Sequence, residues 1–122
     1  MISYSARDYT KYMFNGERYP KNRIVLEVIR QFLKDNPKIT YDQLSDVFPA
    51  AHFRQGSKGV FTKYENALRI QKYDRRRHFL EEDETLETYD GIRIAVSTQW
   101  AKNLNFDKFL EKARTLGYLI TA

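Results

Sequence analysis

Three consecutive arginines, Arg75, Arg76 and Arg77, are followed within a few residues by Glu81, Glu82, Asp83 and Glu84. Guanidinium groups in a row suit phosphates, which they grip with paired N–H donors. Four carboxylates in a row suit a divalent cation of the kind a metal-dependent nuclease holds. The two runs also suit each other, as a self-neutralising pair. A nuclease centre needs carboxylates converging from separate elements, whereas neighbours in an extended segment point to opposite sides. The acidic run is therefore read as a solvated loop, and the arginines face either phosphates or their own acidic neighbours.

Other reactive groups are sparse. His52 and His78 lie 26 residues apart, without the H-x-x-x-H or H-E-x-x-H spacing that puts two imidazoles on one helical face, and read as ordinary semi-exposed histidines. The stretch "RQGSKGVF" lacks the spacing of a phosphate-binding loop, and no serine sits in a G-x-S-x-G elbow. With no cysteine there is no thiol nucleophile, disulfide or thiolate-bound zinc, which fits a reducing compartment. No enzymatic activity, metal or cofactor is expected.

The 122 residues are about one domain's worth, and 42% hydrophobic with 15% aromatic content is too rich for a disordered chain. No apolar run approaches the ~20 residues of a membrane span, so a soluble cytoplasmic protein is expected. Charge is uneven. Residues 1 to 80 carry 16 Lys and Arg against 8 Asp and Glu, a balance of +8, whereas residues 81 to 122 carry 5 against 8, a balance of −3. A basic first two-thirds is what phosphate binding requires, and equally what a merely soluble basic surface looks like.

These residues must be held by elements that the patterning predicts. "NRIVLEVIRQFLKDN" sets Val25, Val28, Ile29 and Phe32 at helical spacing from Asn22 to Asn36, and Pro37 ends the run. Thr40 and Gln43 have capping-box spacing, with Ile39 and Leu44 placed for a hydrophobic staple, so a short helix is expected over Tyr41 to Phe48. "AAHFRQGSKGVF" reads as a loop. Thr62 and Glu65 repeat the capping spacing and predict a third helix from about Lys63 to Lys72. Asp90-Gly91 predicts a two-residue hairpin turn pairing Tyr89 with Ile92 and Glu87 with Ile94, with Ile92, Ile94 and Val96 on one face and Arg93, Ala95 and Ser97 on the other. Trp100 is expected in the core or at its rim. Phe106, Phe109, Leu110, Ala113 and Leu116 predict a last helix capped by Asn105 and closed at Gly117, and Tyr118 to Thr121 suits a short strand or tail.

Three helices, a hairpin and a C-terminal helix make an α+β, helix-rich single domain, strung like a winged helix-turn-helix. The expected division is an aromatic arm over residues 1–20 packing on a winged-helix-like domain of residues 21–122. In that arrangement Lys63, Asn66, Arg69 and Lys72 share a polar side of the third helix, with Arg75, Arg76 and Arg77 beyond its end. Asn66 would read a base edge and the cations would take phosphates of duplex DNA, with Arg54 and Lys58 extending the basic track. A different class of function, a protein partner or a homodimer, would use the arm, with Tyr9 and Tyr12 as the contact aromatics.

Taken together, "FNGERYPKNRIVLEVIRQFLKDNPKITYDQLSDVFP", "RRRHFL", "DGIRIAVSTQW" and "NFDKFLEKARTLGY" resemble a small module of bacterial proteins found in restriction and other DNA-processing contexts. The resemblance runs from Phe14 to about Tyr118. It implies an accessory, DNA-associated role and brings no catalytic residue with it. After "QW" such modules have a glycine-containing segment, where this chain has "AKNLNF", so a shared role for that turn does not carry over.

Overall fold

The computed structural model describes residues 10–53 and 59–122. Tyr9, Arg54 and Lys58 lie outside them. The chain begins with an antiparallel hairpin of β1 (Lys11–Phe14) and β2 (Glu17–Pro20), Tyr12 facing Tyr19. Its turn is Asn15-Gly16, both with positive φ, at 51° and 82°, which is the two-residue geometry that matches strand twist. The period-two alternation of the strand sends Tyr12 and Phe14 into the core. Tyr12 meets Phe106 edge-on at 5.2 Å and Phe14 meets Tyr118 at 5.8 Å. The hairpin therefore packs into the same core as the rest, and Pro20 is the N-cap of the next helix.

That helix, α1 (Lys21–Asp35), buries Ile24, Val25, Leu26, Val28, Ile29 and Phe32. Asn36 closes it, with both its backbone N–H and its side-chain amide donating to the Phe32 carbonyl. The capping box of α2 (Tyr41–Val47) is present as the spacing predicts: Gln43 N–H donates to Thr40 Oγ1 at 3.2 Å and Thr40 N–H to Gln43 Oε1 at 3.0 Å. The stretch expected to be loop instead starts with one helical turn, α3 (Ala50–Phe53). It follows Pro49 and buries the Phe53 ring.

The second Thr-x-x-Glu spacing does not form a cap. Thr62 lies in β3 (Phe61–Lys63), opposite Ala95, and α4 (Tyr64–Tyr73) starts after Lys63 with no side-chain cap. Val60 and Phe61 are buried there, and drawing them into the core as a strand overrides the local capping preference. β3 is one edge of a three-stranded antiparallel sheet of order β3-β5-β4, with β4 (Leu86–Glu87) and β5 (Arg93–Val96). The predicted register is off by one: Glu87 faces Arg93 and Leu86 faces Ile94. The turn has three residues, Tyr89 to Gly91, closed by Thr88 N–H on the Ile92 carbonyl at 3.0 Å, with Gly91 at φ 79°. Thr88 Oγ1 donates to Asp90 Oδ1 at 2.6 Å, which favours this longer loop over a two-residue one.

The expected alternation along β5 also fails, because Ala95 and Ser97 are as buried as Ile94 and Val96. α4 packs on β3 and β5, and the segment around His78 bridges to Ser97, so both faces of the strand are covered. His78 is correspondingly 2% exposed rather than semi-exposed. α5 (Asn105–Thr115) supplies Phe106, Phe109, Leu110 and Ala113 to the core. Phe109 touches Phe48, Phe53 and Trp100, whose indole N–H donates to the Ser97 carbonyl at 2.7 Å. Asn105 is not the cap but the first helical residue. Its buried amide accepts from Ala101 N–H and donates to the carbonyls of Phe53 and Gln99, tying the loop to α3. The closure at Gly117 is as expected: Tyr118 N–H reaches Ala113 and Gly117 N–H reaches Arg114, a Schellman pair with Gly117 at φ 96°. The tail then returns to bridge Thr121 with Met13 on β1. The result is one small α+β domain of five helices and two antiparallel sheets among the described residues.

Candidate nucleic-acid interface

α4 presents the residues on which the basic reading rests. Ala67 is its single fully buried side chain, turned toward the sheet, and the opposite face carries Glu65, Leu68, Arg69, Lys72 and Tyr73 in solvent. Arg69 Nη1 donates to Asn66 Oδ1 at 3.1 Å, which occupies the amide oxygen expected to read a base. Lys63 separates from this group. It precedes the helix, and its ammonium lies over the Tyr41 ring at 5.3 Å. Lys72 sits 5.3 Å from the centroid of the neighbouring Tyr73 ring. Tyr64, at the helix start, is stacked by the Arg93 guanidinium at 3.8 Å, fastening α4 to β5.

The arginine run divides. Arg77 Nε pairs with Asp74 Oδ2 at 2.7 Å. Arg76 donates through Nε to the His78 carbonyl and lies 3.5 Å from Glu84 Oε1. Arg75 is exposed and makes no ion pair among the described residues. The same holds for Arg69 and Lys72, so within α4 and the arginine run these three are the cations with charge to offer.

Glu84 explains much of the acidic run. It pairs with Arg23 of α1 at 2.7 Å, and Arg23 also reaches Glu27 at 3.2 Å, which in turn meets Arg30 at 3.3 Å. Arg30 further donates to the Asp83 carbonyl at 3.0 Å, and Glu81 N–H donates to Glu84 Oε1. The acidic turn is thus docked on α1 by arginines from two parts of the chain. Among the described residues no group of three His, Asp or Glu side chains is placed to hold a metal ion. Nothing in the local sequence distinguishes Arg23 and Arg30, because their partners in the acidic turn lie more than 50 residues away.

Tyr12, expected on a partner surface, is 6% exposed, and its ring serves the core instead. Among the described residues the strongly exposed aromatics are Tyr89, at 64%, and, above it, Tyr73, at 75%. The signal of Tyr73 in the sequence is its place at the end of a basic helix, which reads equally well as a buried position. No helix among the described residues is long and apolar enough to cross a membrane. No protein-family model, curated protein or solved structure matches the chain.

Proposed function

We propose that the protein is a non-catalytic nucleic-acid-binding module that uses the outer face of α4 and the turn after it. The observation that carries this reading is the gathering of Arg69, Lys72 and Arg75 in solvent without carboxylate partners, while the neighbouring Arg76 and Arg77 are matched by Glu84 and Asp74. Unpaired cations on one surface release counterions when phosphates replace them, and that release favours binding. The order of α4 followed by the β4–β5 hairpin supports a winged-helix-like use of the domain, with α4 as the element facing DNA and the hairpin beside it. A DNA-associated role also agrees with the resemblance to modules of DNA-processing proteins.

The test is the salt dependence of binding to a short labelled DNA duplex. Changing Arg69, Lys72 and Arg75 together to Ala should reduce the slope of log affinity against log salt by roughly 3, close to one for each phosphate no longer neutralised. Arg77→Ala, which removes a cation already paired with Asp74, should change that slope by far less. No binding at low salt, or an unchanged slope in the triple variant, would refute the reading. Thermal melting of the variants checks that these exposed changes leave the fold intact.

A further inference from the structure

Tyr73 is the last residue of α4, and its ring stands in water beside Lys72. Arg69 lies one helical turn before it, Lys72 covers one side of the ring at 5.3 Å, and Arg75 follows two residues later. The backbone beneath it is held, because Asp74 N–H still donates to the Ile70 carbonyl at 2.9 Å. The nearest carboxylate in sequence, Asp74, is neutralised by Arg77 at 2.7 Å and does not repel an incoming anion. A lone exposed aromatic is common on protein surfaces and by itself means nothing. A flat exposed ring with Lys72 over it, and with Arg69 and Arg75 within four residues and without ion pairs among the described residues, is different, since it offers a π face and phosphate charge compensation to the same ligand.

In a duplex the faces of the bases are stacked on one another and closed to a side chain, so a duplex would use the cations and leave the ring idle. An unpaired strand uses both, with a base stacked on the aromatic and its flanking phosphates on Lys or Arg. We infer that the C-terminal end of α4 binds single-stranded nucleic acid, with Tyr73 stacking on a base and Arg69, Lys72 and Arg75 holding the phosphates on either side. This inference rests on the nucleic-acid reading above and narrows its ligand. The ammonium of Lys72 would leave the ring for a phosphate and free that ring face for the base.

The test compares an oligothymidine of about 12 nucleotides, within the range that single-strand binding sites span, with the same length of oligouridine and with a duplex. Fluorescence polarisation at fixed low salt provides the readout. The single strand should bind more tightly than the duplex, and Tyr73→Ala should weaken strand binding about tenfold, the size of one base–aromatic stack. Tyr73→Phe should retain affinity, because the ring and not the hydroxyl is at work. Tyr73→Leu, which keeps apolar bulk without a flat face, should behave like Ala. In Tyr73→Ala the salt slope should stay as in the unmodified protein, because no charge is removed. If the duplex binds as tightly as the strand, or if Tyr73→Ala binds the strand within twofold of the parent, the inference is overturned. The broader reading then still stands, provided that the triple cation variant shows its reduced slope. Whichever of oligothymidine and oligouridine binds more tightly tells whether the strand is DNA or RNA, and no binding to any of the three would overturn both proposals.

Discussion

Gly59→Ala should destabilise the fold by about 3 kcal/mol in urea denaturation, well beyond the same change at Gly91. At Gly59 two separate requirements exclude a side chain. The backbone has φ 100°, where an L residue is strained, and an added Cβ would come within 2.8 Å of Ala50 Cβ and 2.9 Å of Ala50 Cα. The first effect costs about 1–2 kcal/mol. The second forces backbone atoms apart at the junction of α3 and β3 and costs about 1–3 kcal/mol. Gly91 shares the positive φ but has nothing within 4 Å, so Gly91→Ala isolates the conformational part and should cost about 1 kcal/mol. Equal losses for the two variants would show that the approach to Ala50 is not tight in solution.

Folding stability should fall by about 3 kcal/mol as the pH drops from about 6.5 to about 4, and His78→Leu should remove most of that slope. Burial of His78 opposes its protonation, and the adjacent Arg77 charge adds to the effect, together pulling its pKa from 6.5 down to about 4. Its Nδ1 is enclosed with no hydrogen-bond partner, so the folded protein has nothing there to welcome a proton. Within this window the unfolded chain binds a proton that the folded chain refuses, so stability is complete above about 6.5 and decreases as the pH falls. A difference of roughly 2.5 pH units at about 1.36 kcal/mol per unit sets the size of the loss. Asp35 and Asp90 act in the same direction but in a more acidic window. Hydrogen bonds from Tyr118 and Gln31 lower the first, and one from Thr88 chiefly lowers the second. Stability measured by denaturant at several pH values resolves the two regions, and a parallel profile in His78→Leu would disprove the assignment.

What the sequence makes legible is what neighbouring residues decide among themselves. α1 is readable because six buried residues repeat at helical spacing, and α2 because Thr40 and Gln43 satisfy each other's backbone donors. The closure at Gly117 is equally local. Thr62 and Glu65 carry the same local signal as Thr40 and Gln43, yet Thr62 is drawn into β3 because β5 offers it a partner strand from more than 30 residues away. Tertiary pairing outweighs capping there. The Asn15-Gly16 turn is readable in principle, since Asn-Gly is a strong hairpin signal. Tyrosines on both sides of it suggest an aromatic arm instead. The candidate site is half legible. Composition points to the basic helix, whereas which cations remain unpaired depends on Glu84, whose carboxylate is shared by Arg23 and Arg76 from different parts of the chain. Tyr12 leaves its expected partner surface for a similar reason, since its ring faces Phe106 from α5, whereas Tyr73, which local patterning does not single out, stands exposed beside Lys72.

α4 fully buries one side chain across ten residues, where α1 buries six across fifteen. Protection against amide hydrogen exchange follows such differences, because a helix held by few apolar contacts opens without the rest of the domain. The amides of α4 should therefore exchange in an early, local event while those of α1 wait for global unfolding. The helix that carries Arg69, Lys72 and Tyr73 would then gain more order from a ligand than α1 can. Adding oligothymidine should slow exchange across α4 and leave α1 unchanged, so that occupancy is recorded as a gain in local rigidity at the segment that does the binding.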